Sequence, residues 1–62
     1  MSRSRVGFDS KAGEAYVEFH DSSVYAYSGV PPSLFEEFAR AESKGTFLNT
    51  MIKPRYPVRR VT

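Results

Sequence analysis

The chain has 62 residues, the length of a single domain. It contains no cysteine, so neither a disulfide nor a thiolate metal site can support its small core. Hydrophobic residues make up 40% of the sequence, with four Tyr and five Phe, which argues against a disordered chain. The longest apolar runs fall far short of the ~20 residues of a membrane span. The basic N-terminus has no apolar stretch behind it, so we expect no signal peptide, no membrane partner and a cytoplasmic location.

Charge is distributed unevenly along the chain, although the net charge is only +2. All seven acids lie between Asp9 and Glu42, and the two ends are basic. Six of the nine cationic residues lie at those ends: Arg3, Arg5, Lys53, Arg55, Arg59 and Arg60. Such asymmetry is compatible with a contact surface for an anion, and equally with solvated chain ends.

The first half of the chain is predicted to form three strands. Apolar and polar residues alternate over 5–9 and 14–19, and residues 24–28 are β-branched and aromatic. The clusters at 10–13 and 20–23 have the composition of tight turns. Short strands joined by tight turns indicate an antiparallel meander.

The second half is predicted to form two helices. The sequence Gly-Val-Pro-Pro at 29–32 ends the third strand and starts an amphipathic helix of about 10 residues. After a break at 43–45, residues 46–53 have a second apolar face, and Pro54 ends that helix. Residues 55–62 are expected to form an extended tail. The predicted fold is α+β: a three-stranded antiparallel β-meander followed by two helices packed on one sheet face (βββαα), with the other face open.

A catalytic or metal site is not predicted. The single histidine, His20, lies beside Asp21 and Ser22 in one turn, whereas a catalytic triad needs groups that converge from separate parts of a fold. One histidine with scattered acids also makes a poor zinc site. We therefore expect a non-enzymatic binding module without a cofactor.

The two tyrosines of the third strand, Tyr25 and Tyr27, lie on one strand face about 7 Å apart. On an open sheet they could stack nucleic-acid bases. They could instead face the helices and pack against Phe35 and Phe38, which the burial of their large apolar surface favours.

A polar cluster, Ser43-Lys44-Gly45, lies at the start of the second helix. Free backbone N–H groups there, together with Lys44, could hold an anion. The alternative is a helix N-cap with a tight turn between the helices.

Several short motifs between Ala15 and Tyr56 occur in a characteristic order. They are Tyr16-Val17-Glu18-Phe19, Tyr25-Ala26-Tyr27, Val30-Pro31, Ala41-Glu42-Ser43-Lys44-Gly45, Phe47-Leu48-Asn49, Ile52 and Tyr56. This ordered set resembles the KTSC domain, a short bacterial module found alone and at the C-terminus of some lysyl-tRNA synthetases. The resemblance implies one KTSC-like domain over 1–62, strongest over 15–56, with 57–62 as a tail. It also implies that Tyr25, Tyr27, Asn49 and Tyr56 are family-motif residues, and its synthetase context suggests RNA binding.

Two functional hypotheses follow. The first is nucleic-acid binding, above all of RNA, through a basic patch of Lys44, Lys53, Arg55, Arg59, Arg60, Arg3 and Arg5. If the tail returned beside the first strand, the two basic ends would merge into one patch. The second is a protein–protein adaptor that uses the open sheet face, where Tyr16 and Val24 are expected. The two differ in salt response, because phosphate contacts release counterions.

Overall fold

The sheet contains four antiparallel strands. The structure, a computed structural model, describes residues 5–62. The strands follow the order of the sequence across the sheet: β1 (Arg5–Asp9), β2 (Glu14–Glu18), β3 (Val24–Ser28) and β4 (Val58–Arg60). The α+β class and the meander followed by helices are therefore confirmed, and the first three strands have nearly the predicted bounds.

The helical layer lies in the chain between β3 and β4. Its elements are α1 (Pro32–Arg40), α2 (Lys44–Phe47) and a π-helical turn (Leu48–Ile52) that continues α2 directly. The second helix starts two residues earlier than predicted, because the Ser43 hydroxyl caps it by accepting a hydrogen bond from the Thr46 amide at 3.3 Å. Among the helices of residues 5–62, none has the length and apolar character that crossing a membrane requires.

The core lies between the helices and one sheet face. Strand register aligns Val17 with Tyr25 and Ala15 with Tyr27, so these four side chains lie on the helix side. The fully buried cluster consists of Ala15, Val17, Tyr27, Val30, Phe38, Leu48 and Ile52. Phe38 and Ile52 are fully buried in this cluster, whereas Leu34, Phe35 and Phe47 are half-buried against it.

The fourth strand corrects the prediction of a three-stranded sheet with residues 57–62 as a tail. Residues 58–60 pair with Tyr27, Ala26 and Tyr25 of β3. Hydrogen bonds from the Ser28 amide to the Pro57 carbonyl at 2.9 Å and from the Val61 amide to the Val24 carbonyl at 2.7 Å extend the pairing. A three-residue segment with two arginines has little strand propensity of its own, so this strand depends on its partner.

Candidate functional site

A groove lies on the helix side of the sheet, at the β3–β4 edge. Its volume is about 290 Å³. We call it the tyrosine groove, and its lining residues are Phe19, Asp21, Ser23, Tyr25, Tyr27, Lys53 and Val58. Aromatic rings, a cation and hydrogen-bonding groups thus meet in one concavity, which is the usual composition of a ligand site.

The two tyrosines of β3 play different parts in the groove. Tyr27 is only 3% exposed and belongs to the core cluster, and burial, followed by the nearby Tyr25, raises the pKa of its phenol. Tyr25 is half-buried and meets Phe19 edge to face, with ring centroids 5.6 Å apart. The interpretation in which both rings face the helices is therefore confirmed, and stacking on the open sheet face is excluded for them. Tyr25 still presents part of its ring to the groove.

Lys53 lines the tyrosine groove and gives it positive charge, and Arg60 lies beside the groove. The wide π-helical turn, closed by the Lys53 amide and the Leu48 carbonyl at 2.7 Å, brings Lys53 to the groove wall. Arg60 is the cross-strand partner of Tyr25, so it lies on the same sheet face. Its Nε donates to the backbone oxygen of Thr62 at 2.7 Å, and within residues 5–62 its other two guanidinium nitrogens make no hydrogen bond.

Asp21 is the acid at the rim of the tyrosine groove. Its Oδ1 accepts a hydrogen bond from the Ser23 amide at 3.0 Å. This bond, then the Ser23 hydroxyl, lowers the pKa of the carboxyl, so it is ionised at neutral pH. Its second oxygen can accept a further hydrogen bond from an amino or hydroxyl group of a ligand.

On the opposite, open sheet face, four polar side chains form what we call the Glu14 cluster: Glu14, Tyr16, Ser28 and Arg59. The Arg59 Nη2 and Nε donate to Glu14 Oε1 and Oε2 at 3.0 and 3.2 Å, a bidentate pair. Tyr16 and Ser28 donate to the same carboxylate at 3.0 and 3.3 Å. The hydrogen bond from Arg59, followed by that from Tyr16, lowers the pKa of Glu14.

The predicted basic patch is consequently divided. Arg59 is neutralised within the Glu14 cluster, on the face away from the groove. Arg5 lies on β1, at the other edge of the sheet, where it pairs loosely with Glu18 at 3.8 Å. The condition for merging the two basic ends, a tail that returns beside β1, is not met within residues 5–62, because β2 and β3 separate β1 from β4. Arg3 lies outside the described residues.

Comparison with known proteins identifies the family. Residues 3–56 match the family model of the KTSC domain. The chain belongs to the KTSC domain family. It is 36% identical over 51 residues to a protein of Tsukamurella paurometabola, a match that covers 82% of this chain and 76% of the relative.

Two further matches describe the context and the fold of this KTSC domain. Lysine--tRNA ligase of Nostoc punctiforme is 36% identical over 52 residues, which are 84% of this chain and 9% of the ligase. The crystal structure of a KTSC domain protein from Yersinia pestis superimposes with a TM-score of 0.85 at 24% identity and covers 100% of both chains. The latter match supports the fold.

The other family-motif residues of this KTSC domain lie outside the groove lining. Tyr56 is half-buried against the core and approaches Gly29, the glycine with positive φ that ends β3. Asn49 is exposed on the π-helical turn, and Lys44 is half-buried at the start of α2. Because Ser43 caps that helix, the N-cap interpretation of the Ser43-Lys44-Gly45 cluster is confirmed.

Sequence reasoning missed several groove residues. Phe19 was assigned to a strand with Val17, on the same strand face, and the observed register of Val17 with Tyr25 brings that face to the groove. Asp21, Ser23 and Val58 carry no such signal, since the first two looked like turn residues and the third like part of a tail. His20 is exposed in the β2–β3 turn, outside the groove lining.

Proposed function

We propose that this KTSC domain is a non-catalytic module that binds single-stranded RNA through the tyrosine groove. The observation that carries the proposal is the meeting of Tyr25 and Phe19 with Lys53 in one groove, beside Arg60. Stacking of bases on aromatic rings with cations along the backbone is the usual way in which proteins hold single strands. A volume of about 290 Å³ suits one unpaired base with its sugar.

Charge supports the same surface. Lys53, Arg55 and Arg60 are exposed, and within residues 5–62 none of the three pairs with an Asp or Glu side chain. Arg55 follows Lys53 closely in the chain, in the turn held by its amide and the Ile52 carbonyl at 3.0 Å. These three cations can contact successive phosphates, while Arg59 stays with Glu14.

Asp21 adds a means of distinguishing RNA from DNA. A carboxylate oxygen at the rim of the groove can accept a hydrogen bond from a ribose 2′-hydroxyl, which DNA lacks. It can also accept one from a base amino group. The kinship with a segment of a lysine--tRNA ligase supports an RNA context for the family.

A salt titration tests the proposal. With three phosphates neutralised, log K for a fluorescent single-stranded RNA should fall against log salt with a slope of about −2. Lys53→Gln should weaken binding and reduce the slope by about 0.7, because one phosphate contact is lost. Lys11→Gln is the matched control, since Lys11 is an exposed lysine in the β1–β2 turn. It should leave both quantities unchanged.

Two results would contradict the proposal. One is no binding of any single strand at low salt by a folded protein. The other is an equal loss of affinity in the Lys53 and Lys11 variants. RNA would then be attracted by the overall positive charge of the protein and not by a specific contact at the groove. In either case the protein–protein adaptor on the open face becomes the leading hypothesis, and substitutions of Tyr16 and Val24 would test it.

A further inference from the structure

The outer edge of β1 has a self-complementary sequence. Within residues 5–62, β1 and β4 are the two edge strands of the sheet, so each has one side without a partner strand. β1 reads Arg-Val-Gly-Phe-Asp from 5 to 9. A second copy related by a two-fold axis at Gly7 would place Arg5 opposite Asp9, Val6 opposite Phe8, and Gly7 opposite Gly7.

We infer that β1 is a homodimer interface, in which two copies pair their β1 strands antiparallel and form one continuous eight-stranded sheet. Opposite charges at facing positions stabilise an antiparallel pair, and so do aromatic residues that face β-branched ones. The two-fold arrangement provides each kind of pair twice. This inference does not depend on the tyrosine groove, which lies at the other edge of the sheet.

Arg5 and Asp9 each have side-chain atoms that can form an ion pair with a second copy. Arg5 has a side chain 86% exposed, and its contact with Glu18 is long, at 3.8 Å. Asp9 uses Oδ1 to accept hydrogen bonds from the Lys11 and Ala12 amides at 3.0 and 3.3 Å. Its Oδ2 accepts none from residues 5–62, so it can accept one from the partner copy's arginine. Both side chains lie on the open face of the sheet, because Asp9 is the cross-strand partner of Glu14 and Arg5 lies four residues from Asp9 in the same strand.

Val6 and Phe8, the apolar pair, lie on the face of β1 that contacts the helices. Val6 and Phe8 are half-buried on the helix side, and Phe8 stacks on Phe35 of α1 with ring centroids 5.1 Å apart. Pairing of two β1 strands would extend the core across the dyad, with the two α1 helices on either side. The exposed surface of α1 carries Glu36, Glu37 and Arg40, which are charges of both signs.

β4, the strand at the other edge of the sheet, does not have a self-complementary sequence. A two-fold axis at the centre of β4 would place Arg59 opposite Arg59, and like charges at facing positions are unfavourable. Arginines and a proline just before the strand are common protections of an exposed edge. β1 pairs with β2 without a bulge over residues 5–9 and contains no proline, and its two charged residues, Arg5 and Asp9, would face each other in the two-fold pair.

Cross-linking tests the geometry. The chain has no cysteine, so a single introduced cysteine reports one contact. Gly7→Cys is suitable because a Cβ at Gly7 meets no atom within 4 Å. Under mild oxidation most of this variant should form a disulfide dimer, and Val58→Cys, with an exposed cysteine on β4, should do so roughly tenfold less. Equal cross-linking of both variants, or none with Gly7→Cys, would overturn the inference.

Sedimentation equilibrium of the full chain from ~10 μM to ~1 mM supplies a measurement independent of cysteine, over the range expected for a small interface. The chain should self-associate with rising concentration. Arg5→Glu should raise the dissociation constant roughly tenfold, because both charged pairs become repulsive. Arg55→Glu, with the same charge change at an exposed site between the π-helical turn and β4, should have little effect.

A mixing experiment completes the test. Arg5→Glu and Asp9→Lys should each self-associate poorly, yet a mixture of the two should form a heterodimer, because acid then faces base at both ends. Circular dichroism of each variant should show the same folded spectrum as the natural chain. A chain that stays monomeric at every concentration, or a mixture that associates no better than either variant alone, would overturn the proposed dimer.

Discussion

The two faces of the sheet use the same residue types for different purposes. On the helix side, tyrosines line a groove and Arg60 keeps donors available; on the open side, Tyr16 and Arg59 bind to one carboxylate. Arg59 and Arg60 are neighbours in the chain, yet the alternation of a strand sends them to opposite faces. Amino-acid composition therefore does not tell which arginines can bind a ligand. The alternation of side chains along the strand determines which face of the sheet each arginine occupies.

The largest expected effect concerns the hydrophobic core. Phe38 is 1% exposed, and its ring lies 6.1 Å from that of Phe35 and 5.8 Å from that of Phe47, between centroids. Phe38→Ala should cost about 3–5 kcal/mol of unfolding free energy. That equals the whole stability expected of so small a core. Circular dichroism should show an unfolded chain, whereas Glu37→Ala, at an exposed position of the same helix, should stay folded.

The next effect separates the two tyrosines of the groove. Tyr27→Ala should unfold most of the protein, because a fully buried ring of the core is lost. Tyr25→Leu should keep the contact with Phe19 and the fold, but it removes the flat ring and should weaken RNA binding by about 1–3 kcal/mol per base stacked. Thermal unfolding and fluorescence anisotropy measure the two quantities. Weakened folding but unchanged RNA affinity in Tyr25→Leu would contradict a stacking role.

A smaller difference is expected between the adjacent arginines. Arg60→Gln should weaken RNA binding to a similar extent for all sequences and reduce the salt slope by about 0.7. Arg59→Gln should leave the slope unchanged and instead lower the thermal stability, because Glu14 loses two donors. A reversal of these results would place the RNA on the open face.

The smallest effect is the pH dependence of the Glu14 cluster. Because the pKa of Glu14 is lower in the folded chain, the cluster stabilises the fold above the pKa of the unfolded chain. That contribution is lost as the pH falls through the unfolded-state and then the folded-state pKa. Urea unfolding at pH 7 and at about pH 3 should show a smaller loss for Glu14→Gln than for the natural chain. Glu36→Gln, at an exposed site on α1, should behave like the natural chain.

Local patterns predicted most of the fold and only part of the site. Alternation put Tyr25 and Tyr27 on one face of their strand, and their large apolar surface favoured the side of the helices, where Phe35 and Phe38 lie. The partnership of Glu14 and Arg59 spans 45 residues and leaves no local signal. The same holds for β4, whose pairing with β3 assigns Arg59 and Arg60 to their faces. The groove was missed for this reason, since its walls come from a turn, the π-helical end and the last strand.

The position of β4 also has a consequence for the order of folding. Since β4 pairs with β3 across the intervening helices, the sheet cannot be completed until the helices have closed a loop of about thirty residues. During synthesis, residues 58–60 leave the ribosome after all the segments that they must join. A nascent chain can thus hold the β1–β3 meander and its helices while the Val58 wall of the groove is still missing. Under the function proposed above, binding in the tyrosine groove would then require β4 to be in place.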